Sequence, residues 1–138
     1  MDCLFCRIIA GEIPCAKIYE DEDIMAFLDI MPVNPGHALV VPKEHCENLA
    51  DAPEDVLQKI IVAARKIGRA ILETEEYDGF NLGVNSGKSA GQLVPHLHFH
   101  IMPRKAGDGR ELWQGNGYGE GEREEWAEKV RKAIKLIS

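Results

Sequence analysis

Three of the five histidines in the sequence, His96, His98 and His100, stand at alternate positions of one short segment. Alternate side chains of a β-strand share a face, about 6.6 Å apart, so the three imidazoles would form a row. The residues between and after them are apolar and would form the opposite face: Leu97, Phe99 and Ile101. A single histidine is usually an ordinary core or surface residue, but three at this spacing indicate a functional site.

Two kinds of chemistry suit such a row. A His-x-His pair on a strand can present two imidazoles to zinc. Alternatively, a neutral imidazole is a good nucleophile, and its ordinary pKa of about 6.5 leaves it mostly deprotonated at pH 7. The middle histidine would then attack phosphorus while its neighbours donate hydrogen bonds to phosphate oxygens. The row alone leaves both alternatives open.

The elements that must position this row follow from hydrophobic patterning and turn residues. Short runs predict a helix at residues 4–10 and β-strands at 16–19, 24–29, 37–41, 80–84 and 96–102. Apolar residues at helical spacing predict a long helix that Asp51 caps, with Pro53 in its first turn and Glu54 completing a capping box. A glycine-rich segment at 105–121, which we expect to be mobile, precedes a final helix at 122–137. This order indicates an α+β fold with a largely antiparallel sheet.

Composition limits the class of protein. With 138 residues, of which 45% are hydrophobic and 28% charged, the chain predicts a single globular domain over residues 1–138. A net charge of −7 disfavours extended DNA or RNA as a partner, although a pocket can still bind one small phosphorylated ligand. No stretch approaches the roughly 20 apolar residues of a membrane span, and the first residues lack a signal-peptide pattern. We therefore expect a cytoplasmic protein without a membrane partner, in which the four cysteines stay reduced.

One motif points to a different kind of phosphate site. Gly83 and the run Gly87-Lys88-Ser89 resemble a P-loop whose spacing is one residue short. A P-loop requires a following helix, whereas Gly91 and Pro95 disfavour one here. A loop that passes near phosphate is the better interpretation.

The segment 96–102 matches the pattern His-φ-His-φ-His-φ-φ, in which φ is apolar, and segments 6–14, 26–30, 36–43 and 85–92 supply further motifs in order. Over essentially its whole length the chain resembles the histidine triad (HIT) nucleotide-binding and hydrolase family. It is most similar to the bacterial and archaeal branch with an N-terminal C-x-x-C. The resemblance implies a five-stranded, mainly antiparallel sheet with one long central helix and a C-terminal helix. It also implies a homodimer whose sheets join into a continuous ten-stranded sheet.

The resemblance further implies catalytic roles. His98 matches the nucleophile that forms a nucleotidyl-histidine intermediate at the α-phosphate. His100 and Gln92 match residues that contact this phosphate, and His37 matches a fourth histidine that orients the triad. The implied catalytic set is therefore His98, His100, His96 and His37.

The implied nucleotide site has a ribose end, a base wall and a phosphate loop. Asp29 matches the carboxylate that binds the ribose hydroxyls. The base wall comprises Ile30, Phe5, Ile8 and Phe27, and the loop beside the phosphate contains Asn85, Gly91 and Leu93. Several branches have Ser or Thr in place of Leu93, with a hydroxyl that contacts the leaving-group oxygen. Leu93 has no hydroxyl and cannot make that bond.

Cys3 and Cys6 allow a metal site or a redox pair. Redox chemistry would require a thioredoxin-like β-α-β context, which the pattern lacks. The resemblance supplies two further ligands, His45 and His96, and a closed Cys₂His₂ zinc site of this kind would be structural. The alternative is that both cysteines are buried thiols of a short helix. No organic cofactor is expected.

The resemblance thus implies a nucleotidyl hydrolase or transferase that acts on a purine nucleotide. The α-phosphate of its substrate would carry one of three groups. These are an amine (in a phosphoramidate), an acyl group, or another nucleotide (in a dinucleoside polyphosphate). Two alternatives stay open: a nucleotide-binding regulatory module with little turnover, and a metalloprotein that uses the histidines for catalytic zinc.

Overall fold

The computed structural model describes residues 2–137, which form three α-helices and five β-strands. The helices are α1 (Leu4–Ile9), α2 (Glu54–Glu73) and α3 (Glu122–Ile137). The strands are β1 (Lys17–Glu20), β2 (Ile24–Leu28), β3 (Ala38–Pro42), β4 (Gly79–Gly83) and β5 (Phe99–Arg104). A single 3₁₀ turn at Lys88–Ala90 precedes β5.

All five strands belong to one antiparallel sheet with the order β1-β2-β3-β5-β4. Leu39 of β3 lies opposite both Phe27 of β2 and His100 of β5. This register brings β5 to the middle of the sheet, beside β3. The predicted α+β fold with a five-stranded antiparallel sheet is confirmed.

The sheet is covered on both faces because its strands alternate between two sets of apolar side chains. Helix α2 covers one face, and the buried residues there include Ile24, Ala26, Val40, Ile60 and Ile101. The shorter α1 covers part of the other face, with a core of Cys3, Phe5, Met25, Phe27, Leu39 and Val41. The histidines project on the α1 side.

Close packing of α2 against β4 depends on a glycine. A Cβ atom added to Gly68 would lie 2.4 Å from Cζ of Phe80, a distance shorter than any normal contact. The missing side chain therefore lets the Phe80 ring lie directly on the helix backbone.

The prediction for the start of the long helix is wrong. Helix α2 begins at Glu54 with Pro53 as its N-cap residue, and no side chain caps it. The carboxylate of Asp51 instead accepts hydrogen bonds from the backbone N–H groups of Asn48 at 2.9 Å and Glu47 at 3.3 Å. Asp51 thus closes the turn before the helix, and the predicted capping box does not form.

Strand β5 also starts later than predicted, at Phe99 and not at His96. The N–H group of His96 donates to the carbonyl of Val94, and that of Leu97 donates to the carbonyl of Cys46. Because of these bonds, residues 96–98 do not join the hydrogen-bond ladder of the sheet.

Residues 105–121 contain neither helix nor strand, as predicted. The start of the segment is anchored, because Asp108 pairs with the Arg104 guanidinium at 2.8 Å and accepts from the Asn34 amide at 3.1 Å. Helix α3 has the predicted bounds and buries no residue. The mobility of 105–121 and the extent of one domain over 1–138 stay predictions. None of the helices within residues 2–137 has the length and apolar character required to span a membrane.

Candidate active site

The three triad histidines lie on one side of the chain even though regular strand structure begins only at Phe99. Leu97, Phe99 and Ile101 join the core beneath α2, as the alternation predicts. The rings of His98 and His100 are 5.0 Å apart between centroids. The predicted separation of an imidazole face from an apolar face is therefore present.

A cavity of about 600 Å³ opens beside His98 and His100, which is an ordinary size for a small-ligand site. Ten residues of the predicted nucleotide site line it: Phe5, Ile8, Phe27, Asp29, Ile30, Asn85, Gly91, Leu93, His98 and His100. The predicted residues are thus brought together from α1, β2, β5 and the loops beside them. Another cavity, of about 650 Å³, lies against α2 and is lined by no histidine.

The sequence predictions missed part of the lining: Leu4, Ile13, Pro14, Cys15, Ala16, Leu28, Leu39 and Val94. Leu39 could have been found from strand alternation, because it shares a face with its neighbour Phe27 across the sheet. Residues 13–16 lie in the irregular connection from α1 to β1, where no periodicity assigns a side chain to a face.

The hydrogen bond of His98 determines which of its nitrogens is free. Its Nδ1 lies 2.8 Å from the backbone carbonyl oxygen of His96. A carbonyl oxygen can only accept, so Nδ1 carries the proton and Nε2 of the neutral ring has a lone pair. His98 can therefore act as a nucleophile through Nε2.

Hydrogen bonds also set the tautomers of His37 and His100. The backbone N–H of Val33 donates to Nδ1 of His37 at 3.0 Å, so a neutral His37 carries its proton on Nε2. That Nε2 lies 3.0 Å from Nδ1 of His100 and donates to it. His100 must then carry its own proton on Nε2, which gives the site a neutral hydrogen-bond donor.

Burial keeps these histidines uncharged. Desolvation lowers the pKa of His37 and of His98. The carboxylate of Asp29 only partly offsets this for His37, and the hydrogen bond to the His96 carbonyl together with Asp29 only partly offsets it for His98. Desolvation, with smaller contributions from His98 and His37, lowers the pKa of His100 to about 4. A neutral nucleophile beside a neutral donor is thus the state at pH 7.

Asp29 lies at the end of β2, where its carboxylate is partly exposed to the cavity. Oδ1 accepts from the backbone N–H of Met31 at 2.9 Å, and Oδ2 is 3.6 Å from Nε2 of His37. One carboxylate oxygen therefore fixes the side chain while the other remains available to a ligand.

Gln92 is the predicted phosphate contact that the structure does not bring into the cavity. Its Oε1 accepts from the N–H of Gly87, and its Nε2 donates to the carbonyls of Glu47 and Val94. The side chain therefore holds the loop between β4 and β5 against the loop after β3. The same loop rules out the P-loop alternative, since Lys88–Ala90 forms one 3₁₀ turn and no helix follows it.

The predicted metal ligands do come together. Sγ of Cys3 and Sγ of Cys6 lie 3.4 Å and 3.6 Å from Nδ1 of His96, and Sγ of Cys6 lies 3.4 Å from Nδ1 of His45. The four ligand atoms lie within 4.8 Å of one another. Ligands of a tetrahedral zinc ion, at bond lengths of 2.0–2.3 Å, are about 3.3–3.8 Å apart. The arrangement therefore fits zinc.

The tautomer of His96 agrees with a role as ligand. Its Nε2 donates to the carbonyl of Pro42 at 2.9 Å, which leaves the lone pair on Nδ1, toward the thiols. Without a metal, burial and the nearby Cys3 raise the pKa of the Cys6 thiol; a bound cation would lower it.

Asp29, His37 and His100 form a second group with metal-ligand atoms close together. The bond from Val33 argues against a metal here, because it leaves the proton of neutral His37 on the nitrogen that would have to bind the ion. We interpret this group as a hydrogen-bond network.

Comparison with known proteins agrees with this geometry. A model of the HIT domain matches residues 10–107. An uncharacterized HIT-like protein from Methanocaldococcus jannaschii is 50% identical over 107 residues, which are 78% of this chain and 82% of the relative. Adenylylsulfatase HINT3 from Arabidopsis thaliana is 44% identical, covering 78% of this chain and 54% of that protein. Adenosine 5'-monophosphoramidase HNT1 from Candida albicans is 39% identical, covering 75% and 70%.

Solved structures have the same fold. A HIT family protein from Bacillus subtilis is 40% identical, with a TM-score of 0.85 over 96% of both chains. A zinc-bound histidine triad family protein from Mycobacterium smegmatis is 37% identical, with a TM-score of 0.78 over 99% of this chain and 96% of the other. On its triad, its fold and these relatives, the chain belongs to the HIT family.

Proposed function

We propose that this protein is a nucleotidyl hydrolase or transferase that cleaves a substituted α-phosphate of a purine nucleotide. The observation that carries the proposal is the pair of tautomers at the cavity: a free Nε2 lone pair on His98 beside an Nε2–H donor on His100. Attack at phosphorus needs a nucleophile and a donor of this kind together. Relatives named as an adenylylsulfatase and a monophosphoramidase support this class of reaction.

The first step forms a bond between Nε2 of His98 and the α-phosphorus and breaks the bond from phosphorus to the leaving group. The leaving group departs with the bonding electron pair and is protonated from solvent. His100 donates its Nε2–H to a non-bridging phosphate oxygen, where charge develops. The carbonyl of His96 stabilises the positive charge on the His98 ring.

In the second step water attacks the phosphorus and breaks its bond to Nε2. The attacking water loses a proton to solvent, and the nucleoside monophosphate leaves with His98 neutral again. When another acceptor replaces water, the same intermediate leads to nucleotidyl transfer.

The rest of the cavity would orient the nucleotide. Asp29 would accept hydrogen bonds from the ribose hydroxyls, and Phe5, Ile8, Phe27 and Ile30 would form an apolar wall for the base. His37 would hold the tautomer of His100, and Gln92 would hold the phosphate loop in place from outside the cavity.

We further propose a structural zinc ion on Cys3, Cys6, His45 and His96. Four protein ligands leave no open position for substrate or water, so this ion would stabilise the fold without entering the reaction. A site with four protein ligands disfavours the alternative of a catalytic zinc enzyme. A regulatory module with little turnover differs from our proposal only in rate.

We also propose the homodimer with a joined sheet. Strand β4 is an edge strand, so its outer backbone groups are free for pairing with a second copy. Leu82 of β4 is 42% exposed, and the neighbouring Ile61 and Val62 of α2 are 44% and 54% exposed. Pairing of two β4 strands would cover this apolar surface. Cytoplasmic location stays a prediction.

Trapping the intermediate tests the proposed reaction. The full chain would be mixed with adenosine 5'-phosphoramidate, quenched, and analysed by intact mass and peptide mapping. We expect an adenylyl group on His98, and a His98→Ala variant that is folded by circular dichroism but loses at least about 1,000-fold of its activity. Full turnover by His98→Ala would overturn the assignment. Tight nucleotide monophosphate binding by wild type without turnover would favour the regulatory module.

A further inference from the structure

One side chain ties the turn before β3 to the end of β5. The amide nitrogen of Asn34 donates to the backbone carbonyl of Pro103 at 2.8 Å and to Oδ2 of Asp108 at 3.1 Å. Both of these oxygens can only accept, so they use both hydrogens of the amide. The backbone carbonyl of Asn34 also accepts from the N–H of His37 at 3.0 Å. Asn34 is therefore bonded to a strand, to the start of the glycine-rich segment and to a histidine of the site.

Asp108 is itself held in place, which makes it a fixed acceptor for Asn34. Its side chain is 5% exposed and pairs with the Arg104 guanidinium through two bonds, at 2.8 Å from Nε and 3.1 Å from Nη2. It also accepts from the backbone N–H of Arg110 at 3.0 Å. Arg104 donates in turn to the side-chain oxygen of Asn81 on β4 at 2.8 Å. A carboxylate that is held by a two-bond arginine pair has a well-defined position.

The turn that Asn34 anchors carries the group that sets the tautomer of His37. Val33 directly precedes Asn34, and its N–H donates to Nδ1 of His37 at 3.0 Å. Other side-chain bonds to this turn reach Met31 and Pro35, each of which is two residues away from Val33. The anchor nearest to the Val33 N–H is therefore the side chain of Asn34.

The bond from Val33 selects between two arrangements of His37 and His100. In the observed arrangement each neutral ring carries its proton on Nε2, and His37 donates to His100 at 3.0 Å. In the opposite arrangement each ring would carry it on Nδ1, and His100 would donate back to His37. That arrangement would point the Val33 N–H at another N–H, and it would remove the donor that His100 presents to the cavity. Asp29 is 3.6 Å from Nε2 of His37, too far for a hydrogen bond that would make the same selection.

We infer that Asn34, held by Asp108, is a positioning residue for the triad: it keeps the Val33 N–H on His37 and so keeps the proton of His100 on Nε2. This inference rests on the proposed function for its effect on turnover. The tautomer of His100 can be observed without any substrate.

The test combines ¹⁵N NMR of the histidine rings with kinetics on the full chain. Wild type should show the Nε2–H tautomer of His100, and Asn34→Ala and Asp108→Ala should both show a mixture. The mixture should be larger for Asn34→Ala, which also loses the bond to Pro103. The kcat for adenosine 5'-phosphoramidate should fall at least about fivefold, while binding of AMP changes less than about twofold, because neither residue lines the cavity.

The His37→Asn background separates positioning from a general loosening of the fold. In that background Asn34→Ala should change kcat by less than about twofold, because the ring that transmits its effect is gone. Asp21→Ala is the matched structural control. Asp21 accepts from the backbone N–H groups of Asp23 and Ile24 in the turn at the other end of β2, so its loss should lower Tm without changing the tautomer of His100.

A pure Nε2–H tautomer of His100 in Asn34→Ala would overturn the inference, and so would a mixture in wild type. An equal fall in kcat in the wild-type and His37→Asn backgrounds would also overturn it. Asn34→Ala leaves the pair of Arg104 and Asp108 intact, so it decides the question even if Asp108→Ala does not fold. Absence of turnover by wild type would overturn the proposed function, and the NMR result would still decide the inference.

Discussion

The backbone carbonyl of His96 accepts the Nδ1–H of His98 at 2.8 Å, while the ring of His96 points to the thiols of Cys3 and Cys6. Phe5 of α1 makes a second link, because its ring contacts both His96 and His98 edge to face, with centroids 5.9 Å and 4.9 Å apart. The candidate metal cluster and the candidate nucleophile are therefore held by the same short segments of backbone.

Metal analysis checks the cluster of Cys3, Cys6, His45 and His96. We expect about one zinc per chain in protein purified without chelator or polyhistidine tag. Removing the metal or introducing Cys3→Ser should lower Tm by at least about 10 °C, because metal bound only to the folded state adds its binding energy to stability. Cys15→Ser, outside the cluster, should retain the zinc. A zinc content near zero with an unchanged Tm in Cys3→Ser would make both cysteines ordinary buried thiols.

The ribose contact predicts a substrate-dependent effect of Asp29→Ala. A hydrogen bond to a charged group contributes about 1.5–3 kcal/mol, so nucleoside monophosphate binding should weaken about 10- to 150-fold. The corresponding deoxyribonucleotide should lose less, and calorimetry on both ligands measures the difference. Glu22→Ala, which removes an exposed carboxylate from the β1–β2 turn, controls for net charge. Equal losses for ribose and deoxyribose ligands would show that Asp29 acts in another way.

The chain of bonds from Val33 through His37 to His100 predicts energetic coupling between the two histidines. His37→Asn should lower kcat about 10- to 100-fold, because a neutral His100 is then free to put its proton on either nitrogen. A double-mutant cycle with His100→Asn should give a coupling energy of about 0.5–3 kcal/mol. ¹⁵N NMR should show the Nε2–H tautomer of His100 in wild type and a mixture in His37→Asn. Additive effects and an unchanged NMR tautomer would contradict the proposed chain.

The lowered histidine pKa values set the sign of the pH dependence. Protonation removes the lone pair of His98, so activity should fall as pH decreases, and it should fall only below the ordinary histidine pKa of about 6.5 because burial lowers the pKa of His98. His100, with a pKa of about 4, stays neutral through most of the interval between pH 4 and pH 6.5. A profile of kcat/KM from pH 4 to 8 measures the midpoint, which belongs to the coupled histidines together. A midpoint above 6.5 would contradict this account.

Sequence patterns that depend only on neighbouring residues predicted the elements of the fold closely. Strand alternation and turn residues located all five strands to within about two residues except for the start of β5. That start depends on a bond from Leu97 to Cys46, which lies far away in sequence. The start of α2 depends on whether Asp51 bonds forward to the helix or backward to Asn48. Local sequence permits either bond, and only the folded loop decides between them.

The candidate site likewise has features that the sequence predicts and features that only the folded structure determines. The type and spacing of the histidines indicated the chemistry, and the family resemblance supplied the partners of Cys3 and Cys6 that the structure brings together. That the nitrogen of His98 which does not attack donates to a backbone carbonyl follows from the chemistry of a nucleophilic histidine, but the sequence does not tell which backbone groups of Val33, Pro42 and His96 fix the three tautomers. The position of Gln92 depends on carbonyl groups that only the folded loops bring within reach.

The cluster of two thiols and two imidazoles has a consequence for how the chain is made. His96 follows Cys3 by 93 residues and Cys6 by 90. At about 5–20 residues synthesised per second, both thiols leave the ribosome roughly 5–20 s before this histidine. A disulfide between Cys3 and Cys6 formed in that interval would leave His45 and His96 without sulfur ligands. A reducing environment during synthesis would therefore keep both thiols available until His96 is made.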